Sequence, residues 1–426
     1  MISIPYKKSF EFEIGAKCCI QLAFEVNDKK YVQQIISSLS KKVIGLHMRL
    51  NEKSDRIYYV NEKPPIIKIP NFKNIEKATM NFGIHHKVDP YARFGSIGYN
   101  DNMVILNVSH GVADGGYFKY IAENIFDDTN INIPSHFPYE AKEIFKEKYE
   151  QSPNDIAFWD DDPYINRIIT NDPSKLYQTF EVGYSTIKLP SSKFQCFDSK
   201  TKRLHSFTDS LWSSLFVASV IHMKKNPQFV FPKQMCIPTC TDFRRYLSKP
   251  NYSICSLYST VIPKVPVSPK SSLSEIGKAM KIDLNRRLKR LEDFGFLKTI
   301  ENLPDDENQN KTAPNSTKKV GIELTYVGAV NIKNPIKNIF MNLNMDSAGT
   351  ETILSLMGFS CVEQPCKANP NGKNEVILRL RYSPTTLYKE EVVQMMKSIE
   401  YILTKVPQET SIEETIKAVS SIHSKK

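Results

Sequence analysis

Two residues four apart, His110 and Asp114, lie in the stretch Val104–Phe118, VILNVSHGVADGGYF, in an arrangement suited to moving a proton. An imidazole titrates near neutrality, so it can take a proton from an attacking nucleophile and return it to a leaving group. The acid four residues on can shape the loop, through its backbone or by pairing with a cation elsewhere. The β-formers Val104, Ile105, Leu106 and Val108 run up to Ser109 and His110, then Gly111 and Gly115–Gly116 bracket Asp114, and an apolar run starts at Tyr117. This pattern predicts a buried strand, a tight loop and a helix, with glycines where the chain turns sharply or approaches a ligand or neighbouring segment. The same residues also fit a structural histidine followed by an ordinary Asp-Gly turn, and spacing alone leaves both readings open.

Composition narrows the setting. A chain of 426 residues has room for two domains of about 200 residues, and 41% hydrophobic with 24% charged residues is ordinary for a globular protein. No apolar run approaches the roughly 20 residues of a membrane span, and the opening MISIPYKKSFEFEIG lacks a secretory pattern. A cytoplasmic protein is the expectation. The eight cysteines do not form a disulfide framework, and Cys236/Cys240 and Cys361/Cys366 are spaced too loosely for zinc pairs. His85-His86 with Asp89 reads as a surface turn, and no metal is expected. The net charge of +11 points to an anionic partner. No nucleic-acid reader motif is present, whereas coenzyme A or an acidic carrier protein fits, as does a merely solvated lysine-rich surface.

Around the His110 stretch, strands are predicted at Phe10–Ile14, Cys19–Phe24, Ile57–Val60 and Phe94–Tyr99, the last pairing with Met103–Val108 through Asn100-Asp101-Asn102. Tyr31 to Leu50 has helical spacing with Asp28 as N-cap. The polar passage 127–180 is the expected crossing between domains, giving lobes 1–180 and 181–426. Beyond it come a strongly apolar helix from Phe207 with Ser206 or Thr208 as cap, then strands at Gln234–Pro238 and Leu257–Ile262. One basic helix over 271–299, a polar loop over 301–319, strands Gly321–Val330 and Glu375–Tyr382, and a helix Glu390–Leu403 complete the chain.

His110-Gly111-Val112-Ala113-Asp114-Gly115 resembles the HxxxDG signature of the condensation-domain-like acyltransferases. That superfamily is similar in fold to chloramphenicol acetyltransferase and includes alcohol acyltransferases and peptide-synthetase condensation domains. Three further stretches look like its texts. Ile44-Gly45-Leu46-His47-Met48-Arg49 keeps the arginine of "P-x-L-R", and Asp242-Phe243-Arg244 with Pro250-Asn251 stands for "D-x-R" and "G-N". Thr325-Tyr326-Val327-Gly328 keeps the hydroxyl and glycine of "S-N-x-G", with Tyr for Asn. No "DFGWG" text marks the plant branch, and Ser109 replaces the first histidine of an HH pair.

The resemblance implies an α/β (α+β) fold of two chloramphenicol acetyltransferase-like lobes, each a mixed sheet flanked by helices, with a tunnel at their interface. His110 would be the general base midway along it. Asp114 would pair with Arg244 and hold the loop, Gly115 would support the turn, and Thr325, Gly328 and Ser109 would lie near the substrate. The implied function is transfer of an acyl group from acyl-CoA, a co-substrate rather than a bound cofactor, to a small-molecule alcohol, in a monomer. Transfer from an acyl carrier protein or onto an amine, and a non-catalytic binding relative, remain alternatives.

Overall fold

The structure, a computed structural model, describes residues 3–5, 18–51, 56–127, 141–154, 182–227, 229–248, 256–301, 321–344, 352–365, 372–382, 384 and 387–423. The strand expected at Phe10–Ile14, the loop 301–319 from residue 302 on, Pro250-Asn251 and the lobe boundary near residue 180 lie outside these residues. The first half supplies β1 (Cys19–Val26), α1 (Lys30–Lys42), β2 (Ile66–Lys68), α2 (Ile75–His85), β3 (Gly95–Tyr99), β4 (Met103–Ser109) and α3 (Gly115–Glu123). The second half opens with β5 (Gly183–Pro190), α4 (Phe207–Met223), β6 (Thr239–Asp242), β7 (Tyr258–Val261), α5 (Leu273–Lys289) and α6 (Glu292–Glu301). It closes with β8 (Gly321–Ile332), β9 (Ile336–Asn344), β10 (Thr352–Glu363), β11 (Lys373–Tyr382), α7 (Lys389–Lys405) and α8 (Ile412–His423).

These strands form two mixed sheets flanked by helices. The first runs β9-β1-β4-β3-β2, antiparallel except for the β2/β3 pair, and the second runs β7-β6-β8-β10-β11-β5 with β6/β8 and β8/β10 parallel. Every residue of β1 and β4 is buried, as central strands covered on both faces require. The β3–β4 hairpin is set by Asn100, whose side-chain oxygen accepts from Asn102 N at 3.1 Å and Met103 N at 2.9 Å. α4 is buried on nearly all its faces, matching its near-continuous apolar sequence. The chain leaves the second sheet at Ile332 and enters the first at Ile336, across a cis Asn334–Pro335 bond. A strand from the later half thus completes the sheet that carries His110.

The structure corrects three local expectations. α1 stops at Lys42, and a 3-10 turn (Ile44–His47) and a short strand (Met48–Leu50) follow, because Gly45 is needed for close approach to β4. A Cβ at Gly45 would lie 2.8 Å from Val112 and 2.9 Å from Val108, on either side of His110. Lys29 rather than Asp28 occupies the N-cap of α1, although Asp28 Oδ1 accepts from Lys30 N at 3.0 Å. The basic helix is two helices, broken where Leu291 takes a left-handed φ of 56°. Ser206 does stand at the N-cap of α4, without a side-chain cap bond, and α8 was not foreseen. Among the described residues no helix is long and apolar enough to cross a membrane.

A buried lysine fixes the far end of α3. Lys42, 2% exposed, donates from Nζ to the carbonyls of Asn124 (2.6 Å), Ile125 (3.2 Å) and Asp127 (2.5 Å), just past the helix C-terminus. A cation there meets both the orphan carbonyls and the negative end of the helix dipole. Tyr117 Oη in turn donates to Lys42 O at 2.9 Å. Lys42→Met is expected to lower the unfolding free energy by about 1–3 kcal/mol, because it strands buried acceptors. A urea midpoint equal to wild type at unchanged slope would show that these carbonyls need no such donor.

Candidate active site

β4, the central strand of the first sheet, delivers His110 at its C-terminal end, where a single 3-10 turn, His110–Val112, begins. Its backbone N donates to Cys18 O at 2.8 Å, so the residue is held at the ends of two adjacent strands. The side chain is half-buried. Its ring lies 4.7 Å from that of Tyr258 between centroids, with the planes at 58°. Ser109 is buried, donates from its backbone to Phe94 O at 2.8 Å, and by strand alternation shares a face with Asn107.

Asp114 caps α3, accepting from Tyr117 N at 2.7 Å. Its buried carboxylate also takes Arg244 Nη1 at 2.8 and 3.0 Å and Leu257 N at 2.6 Å. The acid is thus occupied by its own helix and by the second half of the chain. Arg244 donates as well to Asp242 Oδ1 at 3.0 Å, and its side chain is only 8% exposed. Burial works against the guanidinium's charge, but Asp114 and Asp242 together hold its pKa above the ordinary value. The Asp242 carboxyl is pushed up, mainly by burial, against the pull of Arg244.

Gly116, one of the glycines that bracket Asp114, closes this latch. A Cβ there would strike Asp242 Oδ2 and lie 2.8 Å from Arg244 Nη1. Gly116→Ala is therefore expected to destabilise by about 1–3 kcal/mol through overpacking. Thermal unfolding of the variant at the wild-type temperature would contradict so tight a contact.

α3 docks on β8 along a regular seam. Gly115 faces Val327 (a Cβ at 115 would lie 2.9 Å from its Cγ2), Lys119 donates to Ala329 O, and Glu123 accepts from Asn331 N and Nδ2 at 2.9 Å each. Four helical residues rise about 6 Å and two strand residues about 6.6 Å, so the spacings match along the seam. Gly328, at φ 92°, sits in the bulge between Tyr326 and Ala329, with open space where a Cβ would point. Thr325 donates to Cys240 Sγ at 3.2 Å. Tyr326 turns the other way, ring 5.3 Å from Phe207 and Oη 2.7 Å from Ser360 Oγ, and burial pushes its pKa to about 12. The residue that departs from "S-N-x-G" is thus a packing residue of the second core.

Asp242 opposes Tyr258 across β6 and β7, and Cys240 opposes Thr260. Opposed residues project to one face and side chains alternate, so Cys240, Asp242 and Tyr258 share the face that Thr325 joins. The structure therefore brings His110, Asp114, Gly115 and Arg244 together around one junction, while Thr325 and Gly328 lie on the strand that α3 docks against. Sequence reasoning missed Tyr258 and the Leu257 amide, which sit in a recognised β-run that carries no motif. It also missed a buried polar chain behind β4: Gln21 Nε2 donates to Asn107 Oδ1 (2.6 Å), Asn342 Nδ2 to Gln21 Oε1 (2.6 Å), and Arg379 to Asn342. Arg379 is 2% exposed and lies 4.1 Å from the Tyr184 ring. Two of the basic residues of α5, Arg286 and Arg287, are ion-paired to Asp283. His86 packs on Phe82 and its carbonyl accepts from Asn107.

No protein-family model and no curated protein matches the sequence. Solved structures do. The epimerization domain from the third module of tyrocidine synthetase B aligns over 98% of this chain and 97% of its own, at 12% identity and a TM-score of 0.59. Trichothecene 15-O-acetyltransferase from Fusarium sporotrichioides aligns over 91% and 92%, at 11% identity and 0.57. The first condensation domain of the calcium-dependent antibiotic synthetase aligns over 97% and 98%, at 9% identity and 0.57. With these likenesses running the length of both chains, the protein shares the fold of these epimerization, acetyltransferase and condensation structures.

Proposed function

We propose that the protein is an acyltransferase that moves an acyl group from a coenzyme A thioester to an alcohol, with His110 as general base. The observation that carries this reading is the division of labour between His110 and Asp114. The imidazole is half-buried at the junction of the two sheets, and the acid is committed to Arg244, Leu257 and its own helix. A histidine placed so can take the hydroxyl proton as the oxygen attacks the thioester carbonyl. The tetrahedral intermediate then collapses, the carbon–sulfur bond breaks, and the imidazolium returns the proton to the departing thiolate. Ester and free thiol result. Thr325 is the residue proposed for the oxyanion, its hydroxyl turning from Cys240 to the developing charge.

The test is free-thiol release by the purified protein from acetyl-CoA and longer acyl-CoAs, with and without a panel of alcohols. The expected result is release that depends on both donor and alcohol. Release at the buffer rate across the panel removes the reading. Release only from carrier-protein thioesters, or only with amines, replaces its donor or acceptor.

A further inference from the structure

We infer that Tyr258 is the positioning residue of His110: its ring, presented from the opposite sheet, sets the orientation of the imidazole. The use of this contact rests on the acyl-transfer reading, but its geometry does not. The centroid separation of 4.7 Å and tilt of 58° are those of a favourable ring pair, worth about 0.5–1.5 kcal/mol.

Among the described strands β7 is the edge of its sheet, and an edge strand needs anchors if it is to hold a side chain in register. Here the residues on either side of Tyr258 are pinned. Leu257 N donates to Asp114 Oδ2 at 2.6 Å, and Phe243 N donates to Leu257 O at 2.9 Å. On the other flank Ser259 Oγ donates to Asp293 O at 2.6 Å. Asp293 is fully buried and ion-paired to Arg245 Nη2 at 2.5 Å. Consecutive arginines therefore brace the two flanks, Arg244 through Asp114 and Arg245 through Asp293. Asp114 stands four residues from the histidine and also binds the residue next to the tyrosine, so one carboxylate fixes both ends of the ring contact. Misplacing a reacting group by about 1 Å can cost about 100-fold in rate, and the imidazole's own backbone bond to Cys18 leaves its side-chain torsions unset.

The eight histidines, labelled at Cε1, give NMR signals among which His110 is identified by its loss in His110→Ala. Wild type and Tyr258→Phe should show the His110 ring protons displaced by the neighbouring ring current. Tyr258→Leu and Tyr258→Met, each checked by its unfolding transition, should lose that displacement. Their kcat should fall about 10- to 100-fold with KM nearly unchanged, and Tyr258→Phe should retain wild-type turnover. His110 resonances indifferent to Tyr258→Leu would overturn the inference. So would wild-type kcat in a variant whose resonances have moved, or a Tyr258→Phe as slow as the leucine variant. A wild type that transfers no acyl group, yet shows the displacement, upholds the placement and sinks the acyl-transfer reading alone.

Discussion

His110→Ala is expected to slow thioester-dependent acyl transfer by about 10²–10⁴-fold, the contribution of a positioned general base. In free energy this is about 3–5 kcal/mol of transition-state stabilisation. Stability should change far less. The backbone bond from residue 110 to Cys18 O survives the substitution, and the ring pair with Tyr258 is worth about 0.5–1.5 kcal/mol. The two effects therefore separate: a fold that unfolds within about 1.5 kcal/mol of wild type, and a turnover reduced by orders of magnitude. KM for both substrates should stay close to wild type, because the lost interaction belongs to the transition state. Steady-state thiol release beside urea unfolding measures both quantities on one preparation. An alanine variant that turns over at the wild-type rate leaves His110 as scaffold, and the general-base assignment falls with it.

What the sequence made legible was contiguous. Strand, turn and helix around His110 lie within Val104–Phe118, where period-2 and helical patterns and the bracketing glycines act locally, and β4, the 3-10 turn and α3 follow them. The pairing of Asp114 with Arg244 lies 130 residues apart and came only through the family texts, since no local physics links those positions. Where partners are distant and carry no text, nothing in the pattern shows them. Leu257 N reaches Asp114 across 143 residues, and β9, a strand not foreseen, joins the sheet of the first half. Gly45 misled for a different reason. Val43, Leu46 and Leu50 continue the helical spacing of α1, but the core position they fill is reached by a 3-10 turn and a strand. Tertiary packing against Val108 and Val112 overrode the local period there.

Arg244→Met should be the most destabilising substitution at the junction, at about 3–5 kcal/mol. The arginine and Asp114 are 8% and 3% exposed at the side chain, and a methionine of similar length would leave the carboxylate buried without its counter-charge. Tyr117 N and Leu257 N would still donate to Asp114, but neutral donors do not repay the desolvation of an ion. Asp114→Asn strands the arginine less severely, because Asp242 Oδ1 remains 3.0 Å from Nη1. The double variant is the discriminating measurement. Removing both charges leaves no buried ion, so Asp114→Asn with Arg244→Met should cost less than the sum of the two singles, by about 0.5–3 kcal/mol. Purely additive losses would mean that the two side chains pack near one another without coupling. Each single variant unbalances the Asp114 carboxylate that Leu257 N is anchored to, and with it the strand that presents Tyr258, so turnover should fall in both even where enough stability remains for the chain to stay folded. Full turnover in a destabilised Arg244→Met would divide the latch from the catalyst and leave the salt bridge a fastening between sheets and nothing more.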